Sequence, residues 1–443
     1  MSPVLRRIGV VAGVLAVSAA LVVGAGVLVG PPDDDSARLS ASSPSGSSAG
    51  TDSLTRSIAA TQERLRRIPL DWQGWAALGA AYVEQARQSA DPTFYDKAAG
   101  ALQKSLEIHA EDNSPALTGL AALAAARHDF ALALATADRS LAINDFNAPT
   151  HGIRGDALIE LGRYDEGIAA FQRMVDLRPG TSSYARASYA WELRGNIVEA
   201  VRAMELAREA SSAPADVAFA TYHLGELAFG AGDLATAERH FTEGIQRDAG
   251  SILLRAGLAK LSAAKGNTQD ALKQYATVVN ALPQTSYLVE YGELLESIGR
   301  PEEAQTQYDV VRTVQQLFAA QGVSVDQELA LFEADHGDPA AALRAAEQVW
   351  TQQKGAVFVE DVYAWALHAN GRYREALIHA DAALRLGTRS ALLYFHRGMI
   401  EAALGLRDRA RADLSKALEI NPHFSPRHAP VARKTLATLG TAP

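Results

Sequence analysis

The chain has 443 residues, a formal charge of −9 and 48% hydrophobic residues, yet no cysteine. Disulfides, thiolate metal sites, iron–sulfur clusters, thiol catalysis and a lipidated N-terminal Cys are thereby excluded. The acidic balance argues against a nucleic-acid binder that works through a basic face. Abundant Ala and Leu without period-two β-branched runs point to an all-α fold.

In chain order, residues 1–7 carry Arg6 and Arg7, and residues 8–30 then run apolar with Ser18 as the sole polar side chain. Helical residues rise about 1.5 Å each, so this run reaches about 35 Å against a hydrocarbon core of about 30 Å. The Arg pair before it and Pro31-Pro32-Asp33-Asp34-Asp35 after it predict a single-pass signal anchor, with 1–7 cytoplasmic and everything after 30 on the extracytoplasmic side. The alternative is secretion after signal cleavage. A signal peptide usually has an apolar region of about 7–15 residues, and no clean small-x-small site closes this run. Residues 31–53 are small and polar, which predicts a flexible linker. Residues 54–68 form a lead-in helix, with Ile58, Leu65 and Ile68 apolar at helical spacing and Pro69 ending it.

Residues 69–422 repeat one unit, seen most plainly at 158–179: a helix end, a Gly-Arg turn, and a second helix that stops at Pro179. A small residue recurs at Ala98, Ala133, Gly167, Ala200, Ala237, Ala271, Ala304, Ala342, Ala376 and Ala410, with successive spacings of 35, 34, 33, 37, 34, 33, 38, 34 and 34. Twelve residues before nine of these stands another small residue: Ala121, Gly155, Ser188, Gly225, Ala259, Gly292, Ala330, Ala364 and Gly398. Small facing small predicts close helix contact at that level. Turn glycines at 162, 195, 232, 266, 299, 337, 371 and 405 supply left-handed helix ends; His128-Asp129 stands where the second unit lacks one. Larger residues follow four positions after the small one at Phe171, Phe241, Tyr275 and Tyr308. The long spacings contain Ser211 to Pro214 and Gly322 to Val325, where bends between subarrays are expected. Residues 423–443 read as a capping helix and tail, with Pro430 in its first turn and Val431, Leu436 and Leu439 covering the last repeat.

Trp75, Leu78, Gly79 and Tyr82 match W-x2-L-G-x2-Y, and with the period of about 34 the chain resembles the tetratricopeptide-repeat family, in its membrane-anchored bacterial type. The resemblance implies a right-handed superhelical solenoid of about ten helical hairpins. It also implies that the first helix of each hairpin lines a concave groove for extended or helical peptides. Projection onto that face places Asp156, Glu160, Glu192, Glu226, Glu293, Glu296, Asp335 and Asp361 there, with Glu84. Tyr189, Tyr222, Phe229, Phe358, Trp365 and Phe395 share it, and Lys260 is nearly the lone base. Acid and aromatic together suit a basic or amphipathic protein or peptide. Otherwise the acids keep the array soluble and the aromatics pack between helices.

No Gly-rich phosphate loop, HExxH or GxSxG occurs. The eleven His form no spaced cluster; His423 and His428 read as a solvated loop, while His368 and His396 fall on first helices. Acid pairs such as Asp165-Glu166 and Glu302-Glu303 begin second helices, where they favour the helix dipole rather than acid–base chemistry. The expectation is a non-enzymatic protein–protein scaffold tethered to the cell membrane, without catalytic, metal or cofactor residues, that recruits or assembles an envelope or exported protein. The alternative is an accessory protein binding a small ligand or cation for a membrane transporter or enzyme.

Overall fold

The structure, a computed structural model, describes residues 48–324 and 326–440. Residues 8–30, read as a membrane anchor, lie outside these. Among the described residues no helix is long and apolar enough to cross a membrane.

Helix α1 (Ser48–Arg67) is the lead-in. It begins inside the stretch read as linker, because Leu54 and Ile58 already present an apolar side to the next helix and small polar residues do not forbid the turn before them. Ten hairpins follow: α2 (Trp72–Ser89) with α3 (Phe94–Ile108), α4 (Ser114–Ala126) with α5 (Phe130–Ile143), α6 (Ala148–Glu160) with α7 (Tyr164–Leu177), α8 (Thr181–Leu193) with α9 (Ile197–Glu209), and α10 (Pro214–Gly230) with α11 (Leu234–Arg247). Then come α12 (Ile252–Ala264) with α13 (Thr268–Ala281), α14 (Thr285–Ser297) with α15 (Pro301–Ala320), α16 (Asp326–His336) with α17 (Pro339–Gln352), α18 (Val357–Ala369) with α19 (Tyr373–Ala383), and α20 (Ala391–Ala403) with α21 (Arg407–Ile420). Helix α22 (His428–Gly440) closes the array. The described residues contain no strand.

The small second-helix positions sit where the repeat register puts them. Ala98, Ala133, Ala200, Ala237, Ala271, Ala304, Ala342, Ala376 and Ala410 are all fully buried. The contact at this level is richer than small against small. A Cβ on Gly225 would lie 2.3 Å from the Phe241 ring, and one on Gly292 would lie 2.3 Å from Tyr308. The first helix therefore stays small partly to receive the aromatic that its partner helix sends across. Ser188 adds a hydrogen bond instead, donating to the Ala200 carbonyl at 2.7 Å.

Seven of the turn glycines adopt positive φ, from +70° at Gly195 to +79° at Gly232, and His128 takes the same conformation at +61°. Gly337 departs from the expectation: its φ is not positive, and the Glu333 carboxylate accepts from the Asp338 amide at 2.8 Å to finish that helix end. In several hairpins the residue after this position caps the next helix. Asp129, Asn196 and Asp233 accept from the amides of Leu132, Glu199 and Thr236. Where that residue is Arg163, Arg300 or Arg372, its guanidinium instead grips the carboxylate three residues on, Glu166, Glu303 or Glu375.

The array coils so tightly that successive superhelical turns touch. His128 Nδ1 lies 2.6 Å from the Ser324 carbonyl, and Ser324 N donates to the Arg127 carbonyl at 3.2 Å. A Cβ on Gly162 would meet the Gly355 carbonyl carbon at 2.6 Å, one on Gly195 the Gly387 oxygen at 2.2 Å, and one on Gly232 the Ile420 oxygen at 2.9 Å. Around these contacts Val357 N donates to the Tyr164 hydroxyl at 2.7 Å, Thr388 Oγ1 to the Leu193 carbonyl at 2.6 Å, and Asn421 Nδ2 to the Phe229 carbonyl at 2.8 Å. The turns inside the second to fifth hairpins thus rest on the loops that follow the seventh to tenth. Turn glycines outside this seam, Gly266, Gly299, Gly371 and Gly405, have open space around them.

The extended α15 belongs to the same closure. Val314 and Phe318, with Val323 after it, pack into the core of the first hairpin against residues such as Tyr82 and Leu102. The segment expected to mark a bend between subarrays is therefore a strap to the start of the chain. At the far end Ala432, Leu436 and Leu439 of α22 pack on the last hairpin, while Val431 faces out. Arg411 donates to the Leu439 carbonyl at 2.8 Å, satisfying an orphan acceptor at the end of α22.

Candidate interaction surface

The first helices α2, α4, α6 and so on to α20 share one side of the array. The close coil brings their ionisable groups together, so an inner position is a crowded one. The first half of this face carries a chain of carboxylates. Asp156 is 6% and Arg186 2% exposed; they pair through Arg186 Nη2 to Oδ2 at 2.6 Å and Nε to Oδ1 at 2.9 Å, and Arg186 Nη1 also donates to Ser182. Burial pushes the Asp156 carboxyl up despite this pairing. Glu160, one turn further along α6, is pushed up to about 7 by burial and then by the charge of Asp156.

Glu192 on α8 is exposed to solvent, yet desolvation and then Glu226 push its carboxyl up to about 7. Glu226 on α10 pairs with Lys260 of α12 at 2.5 Å, and Lys260 lies 3.9 Å from Glu290 of α14. Burial works against the Lys260 ammonium, but the two carboxylates outweigh it and hold its pKa above the ordinary value. The Tyr275 hydroxyl donates to Glu290 at 3.0 Å. Arg87 on α2 and Asp216 on α10 feel each other's charge.

The expected aromatics divide. Tyr189 packs in the core with Ile159 and Leu193, and Phe229 in that of the fifth and sixth hairpins with the Lys260 ammonium 5.2 Å from its ring centre. Tyr222 is half-buried, 6.0 Å from Phe241. Phe358 packs against the cluster that holds Tyr164 and Tyr189, across the seam between superhelical turns.

The second half of the face forms a further network, whose Glu293 also acts on Glu290 of the first. Glu293 lies 3.3 Å from His336 Nε2, and Glu296 lies 3.1 Å from Arg427 Nη1. Asp335 Oδ1 accepts from Trp365 Nε1 at 3.0 Å and lies 3.2 Å from His428 Nε2. Burial alone would raise the Asp335 carboxyl, but His428, His396 and Trp365 outweigh it and hold it well below the carboxylate range. The Trp365 ring stacks on His396 at 4.1 Å and on His368 at 4.6 Å, and His396 Nδ1 lies 2.9 Å from both Asp361 oxygens. Phe395 is buried and stacks on His428 at 4.8 Å.

The structure thus joins Asp156, Glu160, Tyr189, Glu192 and Glu226 in one neighbourhood, and Glu293, Glu296, Asp335, Asp361, Trp365 and Phe395 in another. Sequence reasoning missed Arg186, Glu290, His336 and Arg427. Glu290 stands two residues before the small residue Gly292, a register that none of the projected positions share. His428 is not in a solvated loop: it is buried, and burial, which lowers its pKa, is outweighed by the Asp335 hydrogen bond and charge, which raise it. Among the described residues no group of three or more His, Asp and Glu has the arrangement of a metal site.

This is an all-helical solenoid of the tetratricopeptide kind, and proteins built on such repeats are in general interaction scaffolds, typically without catalysis of their own. Tetratricopeptide-repeat models match residues 154–216, 228–289 and 391–424, so the chain carries these repeats in three separate stretches. Among solved structures it is similar to a tetratricopeptide repeat protein from Parabacteroides merdae ATCC 43184, with 19% identity over 59% of this chain and 99% of that one, at a TM-score of 0.35. It is also similar to the APC/C hetero-tetramer Cut9-Hcn1, with 14% identity over 88% of this chain and 84% of that one, at a TM-score of 0.39. No curated protein matches the chain.

Proposed function

We propose that the protein is a non-enzymatic scaffold that holds a basic or amphipathic polypeptide against the inner face of its first helices. The observation that carries this reading is the carboxylate series Glu160, Glu192, Glu226 and Glu290, which meets Lys260 as its nearby base. Glu192 stays open to solvent while burial disfavours its charge. A cationic segment entering there relieves a charge the protein alone solvates poorly, and the half-buried Tyr222 offers it a ring face. The membrane tether belongs to the same proposal: residues 8–30 anchor the chain, the array stands on the extracytoplasmic side, and the partner is an envelope or exported protein.

The test is a photo-crosslinking residue placed at Glu192 in native membranes, with a control at Val198 on the exposed outer side of α9. A polypeptide adduct from position 192 but not 198, reduced by Glu226→Lys, is expected. Equal capture from both positions, or none from 192, overturns the reading. For the tether, a reporter fused after Pro443 is expected to be active outside the cytoplasm, and activity confined to the cytoplasm overturns that part.

A further inference from the structure

The inner face of α14, α16 and α18 differs from the rest of the interior because the chain itself occupies it. The loop after α21 turns inward and hands its side chains to the first helices. Arg427 Nη1 lies 3.1 Å from Glu296 Oε2, and Arg427 Nη2 donates to the Asp335 backbone carbonyl at 2.6 Å. Ser425 Oγ donates to Glu293 Oε2 at 3.3 Å, His428 Nε2 lies 3.2 Å from Asp335 Oδ1, and the Phe424 ring lies 5.6 Å from Phe395. Neither Arg427 nor Glu296 belongs to the core of the last hairpin, which Ala432, Leu436 and Leu439 of α22 cover together with Phe424, while Ser425 Oγ also accepts from the Arg427 and His428 amides at the start of α22. The Arg427–Glu296 pair is also wet, its side chains 35% and 34% exposed. A surface ion pair of this kind holds weakly and exchanges readily.

Arginine on a carboxylate and a carbonyl, hydroxyl on a second carboxylate, and aromatic on aromatic are the contacts by which a groove reads an extended peptide. We propose that this inner face is a receptor for an extended, arginine-bearing segment of a partner polypeptide, and that residues 423–428 occupy it in cis until such a segment displaces them. The proposal rests on the reading of the inner face as the partner-binding surface and adds the recognition element and its competitor.

A labelled peptide with the sequence of residues 421–430, titrated into the full chain, tests it. A tethered segment competes at an effective concentration in the millimolar range, so Arg427→Ala is expected to raise peptide affinity by about tenfold or more over the unmodified chain. Adding Glu296→Arg to that variant is expected to abolish binding. Equal affinity for the unmodified and Arg427→Ala chains, or binding that survives Glu296→Arg, overturns the proposal. Should Arg427→Ala lose helical circular dichroism, the unmodified chain supplies the second arm. Amides of residues 423–428 are expected to exchange faster with deuterium in saturating peptide, and unchanged protection overturns the proposal. If crosslinking from position 192 captures a partner while the peptide fails to bind the Arg427→Ala chain, the scaffold stands and this receptor falls. If the peptide binds here while position 192 captures nothing, the converse holds.

Discussion

Glu160 shows how a single buried carboxyl sets the response of the molecule to pH. In an unfolded chain a Glu titrates near about 4.3, whereas in the fold burial and Asp156 push Glu160 up to about 7. The folded state therefore binds this proton more tightly, and stability falls as pH rises from the unfolded value through the folded one. Glu160→Gln keeps the shape and removes the charge. It is expected to match the unmodified protein at pH 5 and to exceed it at pH 8 by on the order of 1–3 kcal/mol, read from denaturant titrations at the two values. A difference that does not change with pH would refute the assignment. His223 and His368 act in the opposite direction. Burial pushes both down to about 4, so their contribution is present above the ordinary His value and is lost as pH falls through about 4.

At the scale of the helical hairpin, the controlling contact is between a residue too small to collide and a ring that fills its place. Gly225 receives Phe241, which also lies under Gly257 of the next hairpin at 2.5 Å from where a Cβ would stand. Gly225→Ala is thus expected to destabilise the protein by about 1–3 kcal/mol through overpacking, measured by chemical denaturation. A substitution at Gly100, where nothing lies near, serves as the control. This level of the structure was legible in the sequence, because the small residues, the turn glycines and the following aromatics all recur within one repeat and reach only their neighbours. Even here the reason differed from the expectation: the glycine makes room for a ring as well as for a backbone. The Asn and Asp caps after these turns are just as local, each reaching only three residues ahead. Arg427 was not, because its partners Glu296 and Asp335 lie about four and three repeats earlier, and nothing local in the chain says that the loop turns inward.

At the scale of the whole molecule, the seam between superhelical turns decides the shape, and its existence depends on the pitch of the coil. Pitch accumulates from small rotations at every hairpin, which no single residue announces. The sequence does carry a mark of it in hindsight: Gly355 and Gly387 stand in loops facing the seam, both at positive φ. The seam separates two substitutions that are otherwise alike. Gly266→Ala places a left-handed alanine in open space and is expected to cost about 1–2 kcal/mol without altering the molecular dimensions. Gly195→Ala adds a collision with the Gly387 carbonyl, so it is expected to cost more and to widen the scattering profile in solution. Identical profiles for the two variants would argue against the seam. The seam also bears on folding. A solenoid whose repeats meet only their neighbours can fray from an end, one repeat at a time. Here the second to fifth hairpins carry the seventh to tenth, and α15 straps the middle of the chain to its start, so fraying at either end removes support from hairpins far away in sequence. The array is expected to unfold in one steep transition reported alike by probes in its first and last hairpins, and the long loops it must close make it a slow folder for an all-helical chain.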